Sequence, residues 1–434
     1  MQQEVFGVAL VGCGVVGGGT AEILLQAAEA IQRKTGQKIV LKYVVDIRFD
    51  HAKKIGVPEA LHCTDFKKAL ADPEVKLVVE LVGGLTFAKS IFEQALNAGK
   101  HVVTANKALM ATHGAELFSL ARNKGLAIGF EASCAGGIPI IRTLTEDLLA
   151  NKIDALYGIL NGTCNYILTQ MTKQGWSYDE ALVQAKALGY AEADPTLDVS
   201  GMDSAHKLTI MASLIFEKTF SLDSLTVQGL QNLDLKDVSL GKHLGLTLKL
   251  IAAAERTELG FALRVQPTFL PDSHPLANIW GSFNGVSVYG HAVGHTLYYG
   301  RGAGASPTAS AVTGDIIGIA TGILTKAQSE FTFWPGLTPT AQGLTSDDLV
   351  SSFYLRRDYE TTAPVNAVAE TLIRAGVAIR SVRAFSEEAG GSVTVLTAPV
   401  STQVLKKALE ALDKGPGLGT TKYLSVLEER KEFI

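Results

Sequence analysis

Val5-Phe6-Gly7-Val8-Ala9-Leu10-Val11-Gly12-Cys13-Gly14-Val15-Val16-Gly17 is an apolar run that stops at a glycine and opens into Gly-x-Gly-x-x-Gly. Val5 to Val11 reads as a buried strand, and a helical pattern follows from about Thr20 to Arg33. A strand before and a helix after are the context in which this glycine pattern binds a dinucleotide. The first glycine permits the tight turn, the second lets a pyrophosphate approach the backbone, and the third lets helix and strand pack closely. The helix N-terminus then faces the anionic phosphates. Gly12, Gly14, Val15, Val16 and Gly17 are therefore candidate cofactor residues.

The pattern continues outward. A second apolar run, Ile39 to Val45, ends at Asp46, and Leu77 to Val82, His101 to Thr104 and Leu126 to Phe130 follow with helical stretches between them. Strands alternating with helices imply a Rossmann-type, doubly wound parallel sheet, expected over residues 1–134. Asp46 lies well beyond the usual spacing of about twenty residues from the glycines, because the first helix is long. Asp46 would accept hydrogen bonds from a ribose 2′-OH and favour NAD, whereas Arg48 would hold a 2′-phosphate and favour NADP. Both choices stay open. Lys107 follows the strand ending at Thr104, at the carboxyl edge of the sheet, and a lysine at a helix start opposes the macrodipole unless it has a specific role.

Residues 135–325 read as an α+β domain for substrate binding, catalysis and dimerisation. The densest chemistry is Gly189-Tyr190-Ala191-Glu192-Ala193-Asp194-Pro195-Thr196-Leu197-Asp198, then Gly201-Met202-Asp203 and His206-Lys207. Pro195 breaks any helix, so Glu192 to Asp198 is expected as a loop. A helix begins after Gly201 and places Asp203 and Lys207 one turn apart on one face. Alone, that spacing is an ordinary surface ion pair. The apolar continuation Leu208 to Ile215 buries part of the helix, however, and the preceding loop gathers several acids. Carboxylates suit a substrate's α-ammonium group, and a buried lysine can protonate the alkoxide that forms when a carbonyl takes up hydride. The set suits an amino-acid aldehyde. A dehydrogenase for another small oxo-acid is the rival enzyme, and a nucleotide-binding sensor the rival outside catalysis; a sensor has no need of Glu192, Asp203 and Lys207.

Residues 326–350, rich in Pro, Gly, Thr and Ser from Trp334 onward, are expected as a linker. Residues 351–434 alternate as βαββαβ, a ferredoxin-like unit. Net charge is −4, which gives no pointer to nucleic acid, and no apolar run is long enough to span a bilayer. Cys13, Cys63, Cys134 and Cys164 form no CxxC pair, which fits a cytoplasmic protein better than a zinc or disulfide framework.

Several stretches converge on one family. Ala185 to Lys207 resembles the homoserine dehydrogenase signature along its length, through Gly189, Asp194-Pro195, Asp198, Gly201, Asp203 and Lys207. Thr104-Ala105-Asn106-Lys107-Ala108, Glu131 through Gly136-Gly137-Ile138-Pro139, Asn161-Gly162-Thr163-Cys164-Asn165-Tyr166-Ile167-Leu168, and Gly302-Ala303-Gly304 with Pro307-Thr308-Ala309 resemble the same family. The resemblance covers about residues 5–325. It implies NAD- or NADP-dependent interconversion of L-aspartate 4-semialdehyde and L-homoserine, on the route to threonine and methionine. It further implies Lys207 as general acid/base, Lys107 as a second active-site lysine, Glu192, Asp203 and Asp198 as substrate-binding acids, and Thr104 and Gly302 along the cofactor. A sodium ion on Glu131, Cys134, Gly136 and Ile138, through backbone carbonyls, and a homodimer or homotetramer are also implied. Arg301 stands where the family commonly has proline. The C-terminal unit resembles an ACT domain, with an amino acid such as threonine as its effector. Its stretch Asp358 to Val365 lacks the glycine of the usual turn.

Overall fold

The computed structural model describes residues 5–231, 233–330, 334–335, 341–360, 364–386, 390–415 and 417–428. The chain forms two compact units, each built from three segments. One comprises Met1–Ile153, His206–Leu222 and Tyr298–Ala341; the other comprises Asp154–Ala205, Asp223–Leu297 and Gln342–Ile434. The expected consecutive division at 134, 325 and 350 makes no provision for this interleaving.

In the first unit, strands β1 (Val5–Val11), β2 (Lys38–Val45), β3 (His62–Cys63), β4 (Val75–Glu80), β5 (His101–Thr104) and β6 (Ile128–Gly129) form one sheet. Their order is β3-β2-β1-β4-β5-β6 and every pair is parallel. The order reverses at β1, which opens a crevice at the carboxyl ends of β1 and β4. β1 and the centre of β4, Leu77-Val78-Val79, are apolar and buried on both faces, as strands inside a doubly covered parallel sheet are. The expected single helix Thr20 to Arg33 is two, Val15–Gln26 and Ala28–Thr35, the first beginning directly on the glycine loop. Helix Ala305–Ala320 packs on Val15–Gln26, where a Cβ on Gly19 would lie 3.1 Å from that of Ala309. The exposed edge of β6 is closed by Gln328, whose amide accepts from the Ile128 N–H (2.9 Å) and donates to its carbonyl (2.7 Å). Gln328 lies in helix Ile323–Glu330, which covers residues expected in the linker. Residues 331–333 and 336–340 of that expected linker lie outside the described ones.

The second unit holds a mixed sheet. It runs through Phe283–Gly290, Ile153–Ile159, Leu246–Thr257, Gly260–Pro271, Leu418–Val426, Val350–Tyr359, Gly391–Thr397 and Ile379–Ser386. Leu246–Thr257 and Gly260–Pro271 make a long antiparallel hairpin of twelve paired positions. The C-terminal elements follow the expected βαββαβ with one addition, the two-residue strand Val400–Ser401 before the second helix, which pairs with Val350 and Ser351; the helices are Val365–Arg374 and Thr402–Asp413. Phe353, Leu355, Leu372, Val393, Val395, Leu405 and Leu412 form their core. This unit is continuous with the hairpin: Thr268 pairs with Ser425 and Phe269 with Val426, in parallel.

Among the described residues no single helix is long and apolar enough to cross a membrane. All four cysteines are free and buried.

Candidate active site

The glycine loop meets each steric demand separately. Gly12 has φ +92°, and a Cβ there would strike the backbone of Leu81 at 2.8 Å. Gly17 packs so tightly that a Cβ would meet the Gly12 carbonyl oxygen at 2.0 Å. Gly14 faces open space, with no atom within 4 Å of its Cβ position. No side chain caps the helix that starts at Val15, and Val15 is exposed. Its first N–H groups are thus left for an anion. A dinucleotide pyrophosphate fits this cradle. Asp46 braces it, with Oδ2 accepting from the Cys13 N–H (2.7 Å) and Oδ1 from those of Ile47 (2.7 Å) and Arg48 (3.2 Å). Burial and the Asp46 charge push the Cys13 thiol up to about 11, so it is no nucleophile. Arg48 is exposed.

At the end of β5, fully buried Thr104 donates to Glu80 Oε2 (2.7 Å) and accepts from the Asn106 N–H (2.9 Å). Glu80 Oε1 takes the N–H groups of Val82 and Gly83 at 2.9 and 3.0 Å, which shapes the loop after β4. Asn106 caps helix Lys107–Asn123 through Leu109 N–H (3.1 Å), so Lys107 is the first helical residue, half-buried at the sheet's carboxyl edge. Sequence reading gave no role to Glu80; an acid ending an apolar strand was the available signal.

The loop from Glu131 to Ile138 turns through two successive left-handed residues, Ala135 (φ 53°) and Gly136 (φ 49°). A Cβ on Gly136 would meet the Gly302 carbonyl oxygen at 2.5 Å, and Gly137 N–H donates to the Arg301 carbonyl (2.9 Å). The Cys134 thiol points to the Lys207 carbonyl at 3.8 Å. Four of the residues singled out in the sequence, Cys134, Gly136, Lys207 and Gly302, are thereby packed together in this unit. Glu131 is buried, its carboxylate accepting from the Ile141 and Arg142 N–H groups at 2.8 and 2.9 Å. Burial, reinforced by Asp315, lifts it to about 7. Ile138 is buried beside Gly300. Arg301 is exposed.

In the second unit, Asn161 organises the carboxylates. Its Nδ2 donates to Asp198 Oδ1 (2.8 Å) and Asp203 Oδ2 (2.9 Å), while its Oδ1 caps helix Gly162–Gln174 through the Cys164 N–H (2.8 Å). The Asn161-Gly162-Thr163 cap after an apolar strand was the signal that could have assigned it this role. Glu192 is exposed in the loop before Pro195, and residues Thr196–Val199 form a short helix rather than extending that loop. Asp203 and Lys207 both belong to helix Met202–Phe216, one turn apart, at 5% and 8% exposure.

The same capped helix carries Asn165, which accepts from the fully buried Lys249 ammonium at 3.2 Å. Lys249 also donates to the Ile279 carbonyl and lies 3.9 Å over the Trp280 ring. Burial, then Lys173, lowers it to about 7. A lysine lowered on folding is bound more weakly by protons in the native state than in the unfolded chain, so stability rises as pH climbs from about 7 toward the ordinary lysine value of about 10.4. Calorimetry from pH 7 to 9 will show wild type gaining Tm relative to Lys249→Met; parallel curves would contradict the lowered value.

A family model described as homoserine dehydrogenase matches residues 139–317, and one described as homoserine dehydrogenase, NAD binding domain, matches residues 12–131. A homoserine dehydrogenase from Pseudomonas aeruginosa is 40% identical over 418 residues, covering 95% of this chain and 96% of its own length. The chain belongs to the homoserine dehydrogenase family. A Neisseria gonorrhoeae homoserine dehydrogenase is 39% identical over 94% of each chain. The crystal structure of a Thiobacillus denitrificans homoserine dehydrogenase superposes with a TM-score of 0.90 at 36% identity, over 98% of this chain and 99% of that one. A hyperthermophilic archaeal homoserine dehydrogenase in complex with NADPH superposes at 0.62 with 25% identity, over 72% of this chain and 97% of that one. As a homoserine dehydrogenase, the protein is a nicotinamide-dependent oxidoreductase with a small-molecule substrate.

Proposed function

We propose a division of labour for the interconversion of L-aspartate 4-semialdehyde and L-homoserine. Lys207 is the general acid/base, Lys107 the second lysine at the reacting centre, and Glu192, Asp203 and Asp198 hold the substrate's polar end. The observation that carries this is the helix Met202–Phe216, which buries a carboxylate and an ammonium one turn apart. The bound nicotinamide supplies or receives the hydride. Lys207 gives a proton to the oxygen that becomes alkoxide during reduction, and retrieves it during oxidation. Asn161 fixes the two aspartates, whose carboxylates suit the substrate ammonium. Gly12, Gly14, Val15, Val16 and Gly17 hold the pyrophosphate, with Thr104 and Gly302 along the nicotinamide half.

For the adenosine end we propose NADP. Asp46 already takes three backbone N–H groups, whereas exposed Arg48 can present its guanidinium to a 2′-phosphate. The proposal includes a sodium ion on the carbonyls of Glu131, Cys134, Gly136 and Ile138, supported by the left-handed turn at Ala135 and Gly136. It also includes a homodimer or homotetramer in the cytoplasm and an ACT-like role for the C-terminal βαββαβ, with threonine as effector. Residues 361–363 of the turn that would shape that effector site lie outside the described ones.

The test is absorbance at 340 nm with L-homoserine and NAD or NADP in parallel. Arg48→Ala is expected to raise KM for NADP by about 10–100-fold, the equivalent of one charge-assisted hydrogen bond, and to leave NAD unchanged. An unmoved NADP value would return the discrimination to Asp46. Absence of turnover with both cofactors in both directions would overturn the assignment.

A further inference from the structure

The second unit holds a polar, partly open cavity of about 100 Å³ that none of the dehydrogenase residues touches. It lies where the C-terminal βαββαβ elements join the long hairpin. Arg264 and Gln266 line it from strand Gly260–Pro271, Gln228 from the segment beside that strand, Ser351 from Val350–Tyr359, and Thr402 and Lys406 from helix Thr402–Asp413. The hairpin and Leu418–Val426 pair here at only two positions, so side chains and space fill the rest of the seam.

Arg264 is the decisive group. Its side chain is 9% exposed, and its Nη2 pairs with Glu255 at 2.7 Å. Glu255 also accepts from Tyr157 Oη at 2.5 Å. Arg264 Nη1 is buried with no hydrogen-bond partner. A guanidinium offers five N–H donors in a fixed plane, and one left dry and unpaired is costly unless something accepts from it. Lys406 adds a second positive charge, paired at the surface with Asp347 at 2.6 Å. Both cations are paired with carboxylates beside the lining, and the hydroxyl and amide groups around them make a polar, donor-rich hollow.

We infer that this seam binds a small oxyanion, a carboxylate or inorganic phosphate of a few heavy atoms, on Arg264 and the hydroxyl of Ser351. At about 30 Å³ per water, the hollow holds about three waters, which sets the size of the guest. Its two ends touch the hairpin and the C-terminal elements, so the bound anion ties them together and stabilises the folded chain by linkage. The inference is independent of the catalytic assignments above.

The experiment is a thermal melt of the full chain with inorganic phosphate or with acetate, against chloride at equal ionic strength. Wild type is expected to gain about 2–4 °C in Tm with a probe well above its Kd. Gain with phosphate alone identifies phosphate, and gain with acetate identifies carboxylate. Arg264→Gln and Ser351→Val are expected to abolish the gain. Ser351→Val leaves the Arg264–Glu255 pair intact, so its own melt keeps the test valid if Arg264→Gln is too unstable. No gain with either probe, or a gain that survives Ser351→Val, overturns the inference.

Discussion

Lys207→Ala is expected to lower kcat by about two to four orders of magnitude, the usual contribution of a positioned proton donor, while NADPH affinity changes less than about twofold. The side chain is 8% exposed and its backbone carbonyl is touched by Cys134, so the group is held rather than tethered loosely. Alanine is the best helix former, and helix Met202–Phe216 will survive the change. The conservative variant separates charge from chemistry. Lys207→Arg keeps the positive charge but holds its proton at every working pH, so it is expected to retain cofactor affinity without restoring kcat. Turnover at 340 nm gives the first quantity, and titration of NADPH fluorescence the second. If Lys207→Ala kept more than a tenth of wild-type kcat, the proton would have to come from elsewhere, and Lys107 at the edge of β5 would be the next residue to change.

The residues behind that prediction were legible in sequence to unequal degrees, for a physical reason. A glycine forced by φ +92°, or by a carbonyl 2.0 Å from where a Cβ would sit, leaves a mark that no other residue can leave. The i,i+4 spacing of Asp203 and Lys207 likewise survives translation into a helix unchanged. By contrast, Glu80, Asn161 and Arg264 act through partners 24, 37 and 42, and 9 residues away. A local signal can mark such a residue, as the cap marks Asn161, but it does not name the distant partner.

The same contrast governs the fold. The alternation of the first domain announced the parallel sheet. Leu246–Thr257 was not singled out in the sequence; Ala252-Ala253-Ala254 favours helix on propensity, and pairing with Gly260–Pro271 at twelve positions overrides it. The seam at Thr268 and Ser425 joins residues far apart in the chain. Residues 326–350 read as a linker, which says nothing about whether the elements beyond will dock. Helix Ala305–Ala320 was read with the middle domain. Its packing on Val15–Gln26 follows from two small residues, Gly19 and Ala309, that let the helices approach.

One buried cation ties the C-terminal elements to helix Leu235–His243. Arg356, on strand Val350–Tyr359, is 2% exposed. Its Nη2 lies 2.6 Å from Asp234 and its Nε 3.2 Å from Asp237, both at the start of helix Leu235–His243. Tyr354 Oη donates to Asp237 (3.1 Å), and Lys236 reaches Asp358 at 3.0 Å. Burial pushes Asp237 up to about 6, and Arg356 is the strongest influence pulling it back. Removing one partner of a buried pair costs about 3–5 kcal/mol, because the other charge is left without compensation. Arg356→Met is therefore expected to speed amide exchange in Val350–Tyr359 by about two to three orders of magnitude, at about 1.4 kcal/mol per decade. The sign of the pH dependence follows from Asp237. Without Arg356 its value rises further, so the native state binds a proton that the unfolded chain, titrating near 4, does not hold. The loss is then smaller at pH 5.5, where Asp237 is neutral, than at pH 8, where it must be buried charged. Asp237→Asn in the Arg356→Met background removes the stranded charge and keeps an acceptor for Tyr354, and it is expected to recover most of the protection at pH 8. Exchange that was equal at both pH values and indifferent to Asp237→Asn would mean that apolar packing of the C-terminal elements, rather than Arg356, holds them in place.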